Sequence, residues 1–285
     1  MEIKGATCAY AISPEYLNEL RRDYPKATAL IVMLRAWRPY RTVGDGKTAT
    51  ICAYYPAENA LYHAAGEFCR GLADDGRYAE RLVGDVIPVR RILTDAKIAA
   101  IGENGLCATR SLGSYFAVQL VATDAFLPEG SETDPAECLH CGNCRKACPC
   151  GALPMDDPKK CLRWWLDGQE MPDWAMKGMR RLFGCELCQL ACPRNASFPA
   201  IEMPKTLYGA LNYGRLLAMD REERLELAAL VGKNLLTRGR VQAQSLVLAD
   251  RERLCVEIVA ESLMHEEKEA PKSAAKYVLS KHGRS

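Results

Sequence analysis

The stretch Cys138-Leu-His-Cys141-Gly-Asn-Cys144-Arg-Lys-Ala-Cys148-Pro149 decides how the middle of this chain folds. Its first three cysteines are spaced three residues apart, and the fourth follows four residues later, directly before a proline. This is the spacing of ferredoxin-type iron–sulfur segments, in which the cysteine before proline ligates the neighbouring cluster. The stretch therefore predicts one [4Fe–4S] cluster and a second cluster close to it.

A second cysteine run, Cys185-Glu-Leu-Cys188-Gln-Leu-Ala-Cys192-Pro193, supplies ligands for the other cluster. It is one cysteine short, because Leu182 stands where the first should be, and Cys161 between the runs is the natural replacement. Exchange of the cysteines before proline then predicts two ligand sets. One set is Cys138, Cys141, Cys144 and Cys192, and the other is Cys148, Cys161, Cys185 and Cys188.

Two alternatives remain open for these cysteines. Pairs of cysteines three residues apart also suit structural zinc sites, although the Cys-Pro endings favour iron–sulfur clusters. Cys150 lies just beyond Cys148-Pro149, and we expect it to be a bystander. The remaining cysteines have no ligand spacing, and we expect them to be apolar packing residues: Cys8, Cys52, Cys69, Cys107 and Cys255.

The composition is that of an ordinary globular protein in a reducing compartment. The 285 residues are 48% hydrophobic and carry a net charge of +2, which argues against a strongly basic nucleic-acid platform. Neither a signal peptide nor an apolar run of membrane-spanning length is visible, so we expect a cytoplasmic protein without a membrane partner. Its fourteen cysteines are then expected to bind metal rather than to form disulfides.

The pattern along the chain predicts an α+β protein with three parts. Residues 1–130 read as an α/β domain, 131–200 as a two-cluster ferredoxin-like segment and 201–285 as a short helical region of HEAT-like character. Within them we expect a capping box at Asp220–Glu223 and a fraying tail from Glu266 onward. Other expected elements are a strand at 29–34, helices at 59–72, 88–100 and 241–263, and two strands at 106–109 and 115–121 paired around a glycine turn.

The cysteine runs, the phrase from Phe183 to Pro193 and the upstream stretch from Gly84 to Val89 together resemble the epoxyqueuosine reductase family. The phrases Ile101–Asn104 and Leu112–Phe116 fit the same family, which extends the resemblance over most of the chain. That family removes an epoxide oxygen as water, in the last step of queuosine formation in tRNA. The resemblance implies a base-off cobalamin held between the N-terminal domain and the ferredoxin segment.

The resemblance also implies roles for individual residues. The family's proton donor lies in a D-x-x-P phrase, which falls on Asp85, and Asn104, Ser114 and Tyr115 fall on the cobalamin contacts. Asp85 could equally cap a helix or a turn. Where the family commonly has G-W-x-G-K-N, this chain has alanine for the aromatic residue and Glu103 for the lysine. The implied partners are tRNA and a low-potential donor such as ferredoxin or flavodoxin.

Three functions are compatible with the sequence. The first is a cobalamin-dependent reductase related to epoxyqueuosine reductase, including a paralogue with another substrate. The second is a dicluster electron-transfer protein without a substrate of its own. The third is a reductase of small organic molecules, such as a dehalogenase-like enzyme. The N-terminal domain favours a reductase, because an electron carrier would not need it.

Overall fold

The structure is a computed structural model that describes residues 3–12, 22–82, 88–125, 133–154, 157–166, 170–237 and 239–284. These residues form two compact units. The first, here called the sheet unit, comprises the chain up to Arg38 together with Tyr54–Cys141 and Pro193–Phe198. The second, here called the helical unit, comprises Pro39–Ala53, Gly142–Cys192 and the chain from Pro199 onward.

The sheet unit is built on a four-stranded antiparallel sheet with the strand order β1-β2-β6-β3. A separate two-stranded ribbon is formed by β4 and β5. The predicted strand at 29–34 is confirmed as part of β2. The strands are β1 (Cys8–Ile12), β2 (Ala29–Ala36), β3 (Ala79–Arg81), β4 (Ala100–Ile101), β5 (Cys107–Ala108) and β6 (Phe116–Thr123).

Side chains alternate along β2, so its apolar residues pack into two separate cores of the sheet unit. Successive side chains of a strand point to opposite faces, so Ile31 and Met33 pack on one face with Leu61 and Ala65 of helix α1 (Tyr54–Asp74). Leu30, Val32 and Leu34 pack on the other face, against helix α2 (Val89–Asp95). A helix predicted at 59–72 is therefore confirmed, and it is buried along the side that the pattern indicated.

Two expectations in this unit are wrong. The strands β5 and β6 do not pair around the glycine turn, because β5 pairs with β4 while β6 lies between β2 and β3. The helix expected at 88–100 ends at Asp95, since Lys97 has a φ of 55°. That left-handed backbone cannot continue a right-handed helix.

The helical unit carries short helices around the cysteines and longer ones toward the C-terminus. The short ones are α3 (Asn143–Ala147), α4 (Leu162–Leu166), α5 (Asp173–Gly178) and α6 (Leu187–Leu190). The others are α7 (Lys205–Ala210), α8 (Tyr213–Ala218), α9 (Arg221–Val231), α10 (Arg240–Arg251), α11 (Glu257–Leu263) and α12 (Glu269–Lys281). No described helix is both long enough and apolar enough to cross a membrane.

The C-terminal helices confirm one expectation and correct two. Asp220 and Glu223 form the predicted capping box at the start of α9. The helix expected over 241–263 is interrupted, because Arg253 adopts a φ of 64° between α10 and α11. The expected fraying tail is instead helix α12, which buries Ala270, Ala274, Ala275, Val278 and Leu279 at helical spacing.

Candidate metal centre

Four of the predicted ligand cysteines come together within the helical unit. The thiol of Cys188 lies within electrostatic reach of the thiols of Cys185, Cys161 and Cys148. Cys185 in turn interacts with Cys161 and Cys148. These four cysteines are the set that the ligand exchange predicts, including the displaced Cys161, which is 24 residues before Cys185 in the numbering. The thiol of Cys144, which is assigned to the other set, is also within electrostatic reach of Cys188, so the division into two sets stays a prediction.

Short local structures position these four thiols. Cys148 follows α3, whose N-cap Gly142 has a φ of 71°. Cys161 follows a single 3-10 turn, Pro158–Lys160, in which the Asp157 carboxylate accepts a hydrogen bond of 2.9 Å from the backbone N–H of Lys159. Cys188 lies in α6, one residue after its start. Each cysteine therefore lies at or beside the end of a short helical element.

The surroundings of these thiols fit an iron–sulfur cluster. Burial, together with the charges of the neighbouring thiols, raises the pKa of Cys188 to about 12. Burial also raises the pKa of Cys185, although a backbone hydrogen bond from Leu187 opposes it. Buried thiolates crowded together need compensating positive charge, and iron ions supply it. Among the described residues, no group of three or more His, Cys, Asp or Glu residues is placed to hold a single metal ion.

Cys150 lies near three of these four cysteines. Burial, together with the thiols of Cys148, Cys185 and Cys161, raises its pKa to about 11. A backbone hydrogen bond from Leu162 to its sulfur has the opposite effect. Our expectation that Cys150 is a bystander remains a prediction, because more than four thiols here are close enough to interact and a cluster takes four.

A buried ion pair supports the loop that carries Cys185 and Cys188. The Glu186 carboxylate lies 2.9 Å from Nε of Arg181, and it accepts a hydrogen bond of 3.2 Å from the Cys52 thiol. Arg181 also donates to the carbonyl of Tyr40 at 2.9 Å. Burial raises the pKa of Glu186, and the adjacent guanidinium opposes that shift. Removing either partner would leave a buried charge without compensation.

Gln244 of α10 fixes the backbone just before Cys185. Its side-chain oxygen accepts a hydrogen bond of 2.7 Å from the N–H of Phe183, and its amide nitrogen donates to the carbonyl of Leu166 at 2.9 Å. Phe183 has a left-handed φ of 65°, which is unfavourable for a bulky residue. One glutamine therefore holds a strained turn two residues before a ligand.

The second predicted set is divided between the two units. Cys138 and Cys141 belong to the sheet unit, whereas Cys144 and Cys192 belong to the helical unit. Its role as a ligand set therefore remains a prediction. Within the sheet unit, the His140 ring lies 3.0 Å from the Glu103 carboxylate, so the residue that replaces the family's lysine contacts the cysteine loop.

The residues expected to contact cobalamin lie in the described part of the chain, and each of them makes local interactions. The Asn104 carbonyl accepts a hydrogen bond of 3.2 Å from the N–H of Leu106. Asn195 holds Ser114 twice, accepting from its N–H at 2.8 Å and donating to its hydroxyl at 3.0 Å. Tyr115 is fully buried, and its ring centroid lies 6.4 Å from that of Phe198. These residues shape the sheet unit whether or not they also contact a cofactor.

An orphaned donor lies beside Tyr115. The ring of Trp37 lies 4.6 Å from that of Tyr115 and 6.5 Å from that of Tyr54, measured between centroids. Trp37 is 8% exposed, and its buried indole N–H has no hydrogen-bond partner among the residues that the structure describes. An unpaired buried donor is uncommon in folded proteins, and a missing ligand is one explanation for it.

The sequence could not have indicated several of these residues. Arg181, Gln244, Asn195 and Trp37 match no motif, and only Glu186 has a signal, namely its position between two ligand cysteines. Asp85, the expected proton donor, lies outside the described residues, and its role stays a prediction.

Comparison with known proteins supports the iron–sulfur assignment. Residues 137–195 match the family described as a 4Fe–4S double cluster binding domain. The helical unit and its flanking cysteines therefore carry two [4Fe–4S] clusters, as the spacing predicted.

Two curated relatives that match parts of this chain are both named epoxyqueuosine reductase. An epoxyqueuosine reductase of Burkholderia pseudomallei is 29% identical over 139 residues, which are 43% of this chain and 34% of that protein. One of Cyclobacterium marinum is 27% identical over 183 residues, or 59% of each protein. The matched region thus spans between about a third and three fifths of these curated relatives.

Solved structures share the fold of the chain. A crystal structure of epoxyqueuosine reductase with an epoxyqueuosine-modified tRNA-Tyr stem loop has a TM-score of 0.75 at 17% identity, covering 98% of this chain and 87% of that one. The enzyme from Streptococcus thermophilus has a TM-score of 0.72 at 15% identity, covering 96% and 86%. The chain shares the fold of these solved epoxyqueuosine reductases, and it carries a 4Fe–4S double cluster segment.

Proposed function

We propose that this protein is a cobalamin-dependent iron–sulfur reductase that removes the epoxide oxygen of epoxyqueuosine in tRNA. The observation that carries the proposal is the four-thiol set of Cys148, Cys161, Cys185 and Cys188, assembled in a chain that also has the reductase fold. Two neighbouring clusters can deliver electrons to a reaction centre. The names of the relatives supply the substrate class.

The sheet unit fits a cofactor of the cobalamin type. Cobalamin carries amide side chains around its ring, and their carbonyl oxygens accept hydrogen bonds. The orphaned indole N–H of Trp37 is a buried donor available to such a group, and the rings of Tyr54 and Tyr115 beside it offer an apolar wall. When bound, cobalamin would supply a strongly reducing cobalt centre. Asn104 and Ser114 would support the surrounding backbone.

The proposed reaction consumes two electrons and two protons for each epoxide. Both carbon–oxygen bonds of the epoxide break, a carbon–carbon double bond forms, and the oxygen leaves as water. The clusters pass the electrons one at a time. Asp85 is proposed to donate a proton to the departing oxygen, which requires a carboxyl protonated near neutral pH in a desolvated setting.

The tRNA substrate is consistent with a chain that is not uniformly basic. The net charge is only +2, so phosphate contacts must come from local groups rather than from the whole surface. Lys233 at the end of the α9 region and Arg240 at the start of α10 are candidates for such contacts. These two residues would position the stem loop, and the modified base itself would be read in the sheet unit.

The test is turnover on a defined RNA. The anaerobically reconstituted protein is mixed with cobalamin, a photoreductant and an epoxyqueuosine-containing tRNA stem loop, and the nucleosides are analysed by mass spectrometry. Loss of one oxygen from the modified nucleoside is the expected result. Intact clusters with unchanged epoxyqueuosine would instead favour the electron carrier or a paralogue with another substrate.

A further inference from the structure

We propose that the helical unit carries a docking surface for a small acidic electron-transfer protein, formed by the basic residues and tryptophans around Cys161 and Cys185. This inference rests on the proposed function, since a reductase must take its electrons from outside. It adds the place where those electrons arrive and the charge of the protein that brings them.

The position of the four-thiol set selects this surface. Cys148, Cys161, Cys185 and Cys188 all belong to the helical unit, whereas Trp37 and Tyr115 of the proposed cofactor site belong to the sheet unit. Of the two clusters, the one held by these four cysteines is therefore assigned to accept electrons from the carrier. The other cluster, for which Cys138 and Cys141 of the sheet unit are two of the predicted ligands, would pass the electrons on.

Exposed cations flank one of these ligands. Lys159 and Lys160 directly precede Cys161 in the 3-10 turn, and both are exposed. The turn is held in place from both sides, because Asp157 caps it and the Trp165 indole donates to the carbonyl of Lys159 at 2.6 Å. Two positive charges are thus presented on a defined backbone beside a cluster ligand.

A second pair of cations lies near Cys185. Arg180 and Arg251 both donate to the carbonyl of Lys177, at 2.8 and 3.2 Å, and Arg180 is within electrostatic reach of the Cys185 thiol. Like charges held this close repel each other, and an approaching anionic surface would relieve that repulsion. Arg180 also lines a shallow cavity together with Gly184 and Cys185.

Exposed aromatic side chains complete the surface. Trp164 is 51% exposed and Trp174 is 41% exposed, although tryptophan is usually well buried. Trp174 is fixed edge-to-face against Trp165, with 6.2 Å between the ring centroids. Tryptophan and arginine are enriched at protein interfaces, and a basic rim steers an acidic partner toward productive encounters.

The occupant that fits this chemistry is an acidic protein with a low-potential one-electron centre. In each encounter the carrier loses one electron, and the cluster held by Cys148, Cys161, Cys185 and Cys188 gains it. Two encounters supply one epoxide reduction. No bond is made or broken at this surface, so the surface contributes to the step through its charge and through the contact distance.

The test compares charge-reversal variants in stopped-flow reduction. Oxidised holoprotein is mixed with reduced flavodoxin, which is strongly acidic. The oxidation of flavodoxin is then followed at several salt concentrations. Lys159→Glu/Lys160→Glu should lower the second-order rate at low salt by about 10-fold or more, and its rate should lose most of its salt dependence. Lys205→Glu/Arg221→Glu makes the same change in net charge on exposed residues of α7 and α9, and it should stay within about 2-fold of the unmodified protein.

Photoreduced deazaflavin, a small reductant, separates docking from cluster damage. It should reduce all three proteins at similar rates, and iron content should be unchanged. Equal flavodoxin rates in the two variants would overturn the docking surface and leave the proposed reductase intact. Efficient reduction of the protein by flavodoxin, without any change in the epoxyqueuosine RNA, would contradict the proposed function and leave the docking surface intact.

Discussion

The side chain of Gln244 accepts a hydrogen bond of 2.7 Å from the backbone N–H of Phe183, two residues before the ligand Cys185. This contact ties helix α10 to the loop that carries two cluster ligands. Gln244 is 1% exposed, so neither of its partners could replace the bond with one to water. The C-terminal helices therefore support the metal centre as well as the fold.

We expect Gln244→Leu to destabilise the protein by about 2–4 kcal/mol, because it leaves the N–H of Phe183 and the carbonyl of Leu166 buried and unpaired. One cluster should become labile, which iron analysis after gel filtration would show. Ser245→Ala is the matched control, since the Ser245 hydroxyl is buried without a partner and its removal should be neutral. Equal cluster retention in the two variants would contradict a supporting role for Gln244.

Variants of Cys161 and Cys150 test which of these two thiols is the displaced ligand. Cys161→Ala should remove one cluster's iron and leave the other cluster largely intact, whereas Cys150→Ala should keep both clusters. The physical reason is that a cubane takes four thiolates, and Cys150 is an additional thiol near this site. Iron content and electron paramagnetic resonance of the reduced proteins are the measurements. The reverse pattern would assign Cys150 as the ligand.

Trp37→Phe tests the cofactor cradle directly. The variant keeps an aromatic ring and removes the orphaned N–H, so the free protein should lose no hydrogen bond and its Tm should stay the same or rise slightly. Its affinity for cobalamin should fall by about 5-fold, the value of one ordinary hydrogen bond of about 1 kcal/mol. Trp165→Phe provides the contrast, because that indole is paired with Lys159 and its loss should lower Tm. Unchanged cobalamin affinity of Trp37→Phe would remove this residue from the site.

If Asp85 is the proton donor, its replacement should impair turnover but not binding. Asp85→Asn should still bind cobalamin and RNA but should reduce epoxyqueuosine at least about 100-fold more slowly, the scale of general acid catalysis. Asp95→Asn, an exposed aspartate at the end of α2, should behave like the unmodified protein. Full activity of Asp85→Asn would assign Asp85 to a structural role.

The sequence predicted the parts of this fold that depend on local pattern. The β2 strand, helix α1 and the Asp220–Glu223 capping box follow from periodicity and caps. The pairing of β6 with β2 does not, because it joins residues that are 80 to 94 positions apart. A local glycine turn was the stronger signal there, and it indicated a hairpin that does not form.

The supporting residues of the candidate site also escaped prediction for a physical reason. Gln244, Asn195 and Arg181 act by completing hydrogen bonds with backbone groups that are distant in sequence. Nothing in their immediate neighbours identifies those partners. The left-handed backbone that Gln244 stabilises falls on the bulky Phe183 rather than on the adjacent Gly184, so the sequence does not mark it.

The most direct test of the account is an anaerobic titration of the iron-loaded protein with cob(II)alamin, followed by electron paramagnetic resonance. We predict a base-off cobalt signal that saturates at one cobalamin for each protein chain and weakens in Trp37→Phe. Both clusters intact with no base-off signal at any cobalamin concentration would contradict the reductase and identify the protein as a dicluster electron carrier.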